Sequence, residues 1–266
     1  MMSRKVLYVV LGLLIAALVA GCGEKEPEQG SLAAIKEKGV MVVGTSADYP
    51  PFEYIDENGE YAGFDIELIH EIGDRMGVEI QIEDMDFGIL IGALKQGKVD
   101  AIIACMTATP EREEEVDFTI PYYESGDALV VKAGSGLTFN APEEVAGLKI
   151  GVQTGTIYEE WVMENLVDTG EIDEKDLSHY PWPEQGIRDL ESGRIDVMIM
   201  DLLTAEQLAA ERDVEIALEV NLSGGAPAMA VREGSKELQE ELNRIITELR
   251  EEGFIDQLEE KYLRGQ

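Results

Sequence analysis

The sequence predicts an α/β protein made of two similar lobes, each carrying its own mainly parallel sheet. Two observations predict it. From residue 40 onward, short apolar strand patterns alternate with helix-period patterns, as βα units do. A long pattern also recurs: residues 93–105 (ALKQGKVDAIIAC) match residues 189–201 (DLESGRIDVMIMD), with Gly97 standing against Gly193. Each copy reads as a helix end, a glycine cap, a basic residue, an aspartate and a buried strand. Residues 42–46 (VVGTS) and 149–153 (KIGVQ) rhyme in the same way. One repeat at so long a spacing describes two lobes rather than a solenoid.

The chain opens on Arg4 and Lys5, then an apolar run over residues 6–20 that ends in Gly21-Cys22. The run is shorter than the roughly 20 residues of a membrane span. Residues 1–21 therefore read as a secretory signal peptide. Val19-Ala20-Gly21-Cys22 resembles the lipobox of prokaryotic lipoproteins, which makes Cys22 the lipidated first residue of the mature chain. The competing reading is a plain anchor helix with an incidental cysteine. Residues 22–30 form a polar tether.

Formal charges are 21 basic against 55 acidic, a net of −34. Losing Arg4 and Lys5 with the signal takes this to −36. Such an acidic chain argues against a nucleic-acid partner, while 45% apolar content excludes a disordered acidic tail. Two cysteines cannot build a disulfide framework and two histidines leave little for a metal cluster. No metal or cofactor is expected, and Cys105 is left unpaired.

In the first lobe, residues 40–43 read as a buried strand that ends at Gly44-Thr45. Residues 65–76 place Ile66, Ile69, Ile72 and Met76 on one helical face. Residues 78–82 alternate as a strand, 87–95 are helical and 99–104 form the next strand. Ligands of open α/β sheets sit beyond the carboxyl ends of strands. Those ends are Thr45-Ser46 and Cys105-Met106-Thr107 in one lobe, and Gln153 to Thr156 and Asp201 in the other. Two lobes facing each other across these ends enclose a small-molecule cleft.

Pro110 suits the first turn of a short helix capped by Thr109. Arg112 on it can present a planar fork to a carboxylate, or else pair with its neighbouring glutamates on the surface. Asp201 suits an ammonium group, or else the N-cap of a helix over 202–212. Fork and acceptor together describe a receptor for a zwitterion. Tyr49 and Phe52 bracket Pro50-Pro51; Phe52 reads as core and Tyr49, with Phe87, as cleft wall. The chain contains no Gly-x-Ser-x-Gly, His-Glu-x-x-His or phosphate-loop sequence. His70 reads as a helix residue and His179 as a loop residue. No enzyme is expected.

The segments 44–54 (GTSADYPPFEY), 63–68 (GFDIEL), 106–112 (MTATPER), 116–123 (VDFTIPYY) and 151–156 (GVQTGT) resemble the family 3 extracellular solute-binding proteins. These are the polar amino acid receptors of ABC importers. The resemblance implies a periplasmic-binding-protein (Venus-flytrap) fold with two hinge strands. Residues 31–125 with 223–266 would make lobe 1 and 126–222 lobe 2, with crossings near Ser125-Gly126 and Gly224-Gly225. It implies that Arg112 grips the ligand α-carboxylate with Thr107 and Thr156 beside it. It implies that Asp201 takes the α-ammonium, with the Thr107 hydroxyl and the Cys105 carbonyl. Tyr49 and Phe87 would be the aromatic walls, and Ser46 and Gln153 would set side-chain specificity. Position 46 is often Asp in relatives that take basic or amide side chains, and Cys105 stands where they hold a smaller residue. Trp182 and Asp189 follow no pattern of the family.

The expected protein is a monomeric receptor, lipid-anchored at the extracytoplasmic face of the plasma membrane, that passes a polar L-amino acid to an ABC permease. Arginine leads, because a guanidinium stacks on Tyr49 and Phe87 and the chain is acidic; glutamine follows. The alternatives are a secreted dehydratase acting on prephenate- or arogenate-like acids, and a binding domain without an importer.

Overall fold

The computed structural model describes residues 30–124, 126–222 and 225–263. Residues 1–21, Cys22 and the tether up to Gln29 lie outside the described residues, as do Ser125 and Gly224 of the two expected crossings. No helix among the described residues is long and apolar enough to cross a membrane.

In chain order the strands are β1 (Val40–Thr45), β2 (Asp48–Tyr49), β3 (Glu53–Ile55), β4 (Tyr61–Ala62), β5 (Glu79–Asp84), β6 (Ala101–Ile102), β7 (Val116–Phe118), β8 (Asp127–Lys132), β9 (Ile150–Gln153), β10 (Leu177–Tyr180), β11 (Val197–Asp201), β12 (Val214–Val220) and β13 (Ala230–Arg232). They form two five-stranded sheets, ordered β5-β1-β6-β13-β7 and β10-β9-β11-β8-β12, and a small β2-β3-β4 sheet. In the first, β1 runs parallel to β5 and β6 while β13 is antiparallel to β6 and β7. In the second, β9 runs parallel to β10 and β11 while β8 is antiparallel to β11 and β12. Each sheet is thus mainly parallel on the same plan, with one reversed strand lying second from an edge. The chain leaves the first sheet after Phe118, builds the whole second sheet from Asp127 to Val220, and returns at Ala230.

The repeated sequence owes its form to one hydrogen-bonding device. Asp100 Oδ2 accepts from Val42 N at 2.9 Å, and Asp196 Oδ2 accepts from Lys149 N at 2.9 Å. In both sheets the aspartate fastens the beginning of one strand to the start of its parallel neighbour. Gly193, at φ 73°, closes the preceding helix Pro183–Ser192 in the left-handed conformation that glycine adopts without steric cost. Gly97 does the same in the first lobe at φ 71°.

The core of the first lobe joins Phe52, Phe64, Leu68, Ile69 and Tyr122 to Leu242, Ile245 and Ile246 of the late helix Lys236–Glu251. The second core gathers Val130, Ile150, Val152, Ile187 and Ile199. Phe52 is fully buried, as the sequence predicts. Helix Phe64–Met76 buries the stripe read from its sequence, and Gly77 caps it. Gly63 before it is held at φ 120°, where a Cβ would lie 2.2 Å from the carbonyl oxygen of Phe52. That close approach lets Phe64 N and Asp65 N bond to the carbonyls of Pro51 and Phe52, which docks the β2–β3 hairpin on the helix.

Some elements differ from expectation. The strand over 78–82 is β5, an edge strand whose Ile80 and Ile82 are only half-buried and whose charged residues face solvent. The strand over 99–104 narrows to β6, because the chain turns at Cys105, a non-glycine residue at φ 43°. Residues 87–95 divide into a 3-10 turn, Phe87–Ile89, and helix Leu90–Lys95. His179 lies on β10, not in a loop, with Nδ1 2.7 Å from Glu159 Oε1.

Candidate ligand-binding site

A cleft with about 510 Å³ of empty space, its open mouth included, lies between the carboxyl ends of the two sheets. Its wall contains every site residue expected from the sequence: Ser46, Tyr49, Phe87, Cys105, Thr107, Arg112, Gln153, Thr156 and Asp201.

Arg112 rides on helix Pro110–Glu113, whose Thr109 caps it by accepting from Arg112 N. Its guanidinium is engaged on three sides. Nη1 donates to the Thr107 carbonyl at 2.7 Å, Nη2 donates to the Gly155 carbonyl at 3.1 Å, and Cζ stands 5.5 Å from the centre of the Phe87 ring. A face-on guanidinium at that distance is a cation–π contact. Phe87 therefore positions the arginine as well as walling the cavity. No carboxylate among the described residues ion-pairs with Arg112, and burial pulls its pKa down to about 10. Charge held without a counter-ion is a standing preference for an anion.

Asp201 closes β11 and is 3% exposed. Of the two roles that the sequence leaves open, the structure shows the helix cap. Oδ1 accepts from Leu203 N at 2.9 Å and Thr204 N at 3.4 Å, capping helix Leu202–Glu211. Oδ2 takes no hydrogen bond among the described residues. Burial raises the carboxyl to about 7 against the lowering pull of those two amides, with Asp127 and Glu206 adding to the rise.

Thr156 caps helix Ile157–Val162, its hydroxyl donating to the Gln153 carbonyl at 2.7 Å. Gln153 is 5% exposed and its Nε2 donates to the Pro181 carbonyl. Cys105 N donates to Asp65 Oδ2 at 2.7 Å, the oxygen that also receives Tyr122 OH. Burial and surrounding carboxylates push the Cys105 thiol up, away from the reactive thiolate.

Sequence reasoning missed Asp48, Glu53, Asp127 and Tyr158, which share this wall. Tyr158 OH donates to Asp127 Oδ1 at 2.9 Å, a pairing across 31 residues that no local pattern reveals. Asp48 escaped because the chain turns tightly between it and Ser46, with Asp48 N donating to the Ser46 carbonyl at 2.7 Å, so no strand alternation links the two. Burial, with Asp84 and Asp86 nearby, raises Asp48 to about 7; burial beside Asp65 holds Glu53 well above the usual carboxylate range. Four carboxyl groups against one guanidinium make the wall an acceptor for positive charge with a single seat for an anion.

The lobes touch through hydrogen bonds around this cavity. Asp201 N donates to Tyr49 OH at 2.9 Å, Arg112 reaches Gly155, and Trp182 Nε1 donates to Asp86 Oδ1 at 2.9 Å. Trp182 thus spans the two lobes, while Asp189 is structural, accepting from Tyr180 OH and Arg194.

The sequence pattern of the bacterial extracellular solute-binding proteins, family 3, matches residues 41–265. The L-cystine-binding protein TcyJ of Escherichia coli (strain K12) is 31% identical over 95% of this chain and 94% of its own. The arginine-binding extracellular protein ArtP of Bacillus subtilis is 32% identical over the full length of both. Among solved structures, an ancestral arginine-binding protein bound to arginine superposes with a TM-score of 0.77 at 37% identity, covering 84% of this chain and 98% of that one. Two-lobed fold, cleft and sequence agree: the chain belongs to the family 3 bacterial extracellular solute-binding proteins.

Proposed function

We propose that the protein is the receptor of an ABC importer that captures an amino acid with a cationic side chain, arginine first, and hands it to the permease. The observation that carries this reading is the charge arrangement of the cavity. One unpaired guanidinium on the first lobe faces a wall of carboxyl groups drawn from both lobes. Arg112 takes the α-carboxylate with Thr107 and Thr156, Asp201 takes the α-ammonium with Cys105, and Tyr49 and Phe87 flank the side chain beside Ser46 and Gln153. Residues 31–125 with 223–266 and residues 126–222 act as the two closing bodies. The lipid anchor on Cys22 and the monomeric state complete the reading.

Support for arginine comes from the names of ArtP and of the arginine-bound ancestral protein. Cystine, the ligand in the name of TcyJ, carries a second carboxylate beside its second ammonium, and among the described residues no second cation lines the cavity to meet that carboxylate. A prephenate-like dianion meets the same obstacle, so the dehydratase reading is weaker. Calorimetry against the twenty amino acids and L-cystine tests the proposal. Arginine should bind most tightly, and a panel in which cystine or a neutral amino acid leads would overturn it.

Capture requires closure, and one glycine permits the approach of the lobes. Gly155 lies at φ 79°, and a Cβ there would stand 2.6 Å from Gly88 Cα on the other lobe. Gly155→Ala should therefore raise the dissociation constant by about 5- to 140-fold, from overpacking at the closed approach of about 1–3 kcal/mol. Small-angle scattering with saturating arginine should show a less compact complex than wild type; equal affinity and compaction would show that the approach is not needed.

A further inference from the structure

We propose that Asp48, held in place by Ser46, receives the cationic end of the ligand's side chain and so selects a guanidinium or ammonium over a neutral amide. This rests on the preceding reading that the ligand is a cationic amino acid, and adds the residue that makes it so.

Asp48 lies on β2, and its Oδ1 accepts from Ser46 Oγ at 3.2 Å. Its Oδ2 is buried and has no partner. A buried carboxylate oxygen without a donor is costly, so this oxygen is a place where an incoming N–H gains more than it would at the surface. Ser46 is 2% exposed and directs its hydroxyl at Asp48. The serine thus orients an acceptor two residues further on and is not itself the charge.

The surroundings then define the chemistry. Asp48 and Ser46 line both the main cavity and an adjoining cleft bordered by Asp84, Asp86 and Trp182. Asp84 and Asp86 both act on Asp48 as like charges, and Glu53, buried with a partnerless Oε2, lies on the same wall of the main cavity. Among the described residues, no cation lines this corner. Asp84 accepts from Ala47 N and Asp86 from Trp182, so both are already engaged. The group that fits must bring positive charge and N–H donors, as a guanidinium or ammonium does. A neutral amide would bring a carbonyl dipole into the same negative field.

The test is calorimetry of wild type, Asp48→Asn and Ser46→Ala with L-arginine and with L-glutamine. Wild type should prefer arginine. Asp48→Asn should weaken arginine about thirtyfold or more, as truncation of a buried charge pair does, while glutamine stays within about threefold. Ser46→Ala, which keeps the carboxylate and frees it to swing, should weaken arginine by less than Asp48→Asn does. Arginine binding should also release more protons than glutamine binding in buffers of different ionisation enthalpy, and Asp48→Asn should abolish that difference. If wild type prefers arginine and Asp48→Asn binds it equally well, the role of Asp48 is overturned and the ligand class stands. If wild type binds glutamine and not arginine, the ligand class falls and Asp48 with it.

Discussion

Arg112→Ala is expected to raise the dissociation constant for the amino acid by roughly 150- to 4,000-fold. The figure follows from leaving a carboxylate unpaired in a closed cleft, which costs about 3–5 kcal/mol, at about 1.4 kcal/mol per factor of ten. The structure adds a second reason for a large effect. The guanidinium also satisfies the carbonyls of Thr107 and Gly155 and lies on the Phe87 ring, so its loss loosens one lobe's grip on the other. Arg112→Lys keeps a charge but cannot form the fork, and should fall between wild type and alanine. Calorimetry on both variants checks the order; near wild-type affinity in Arg112→Ala would remove it from the site.

Asp201→Asn should weaken binding by about 2–5 kcal/mol and leave the liganded protein less compact in small-angle scattering. Asparagine still caps a helix, so the amides that Asp201 Oδ1 satisfies keep an acceptor and only the ammonium contact is lost. The same variant should flatten the pH dependence of binding. A carboxyl raised to about 7 must lose its proton to hold an ammonium, so wild-type affinity should fall as pH drops from about 8 to 5. Stability of the ligand-free protein runs the other way. Asp48 and Asp201 at about 7, and Asp65 at about 6, all lie above their unfolded values near 3.9, so the folded state binds more protons in that window. Its stability should fall as pH rises through 6 and 7, and thermal melts at pH 5 and 8 with and without arginine would show it. A ligand-free protein that melts no lower at pH 8 would contradict the raised carboxyls.

Much of this was legible because it is local or repeated. Glycine caps, the apolar stripe of helix Phe64–Met76 and the two aspartates that tie neighbouring strands lie within short, regular patterns. Strand ends could be placed for the same reason, and with them the nine residues now found in one cavity wall. What escaped depends on distance or on division of labour. The reversed strand of the first sheet exists because β13 returns from the end of the chain to lie between β6 and β7, a pairing over more than a hundred residues. Asp201 invited a choice between cap and ligand contact; one of its oxygens caps the helix, and the other takes no hydrogen bond among the described residues. Asp48 was hidden by a two-residue strand too short to register as one, and by a serine at the position where charge was expected.

The indole that crosses the cleft also makes the molecule self-reporting. Of its two tryptophans, Trp161 packs against the second-lobe core. Trp182 is 46% exposed and holds Asp86 of the opposite lobe through its Nε1. Parting the lobes trades that carboxylate for water, and the emission of an indole responds to such an exchange. If the lobes open and shut as proposed, the intrinsic fluorescence of this one indole should report it in a stopped-flow cell with no dye attached.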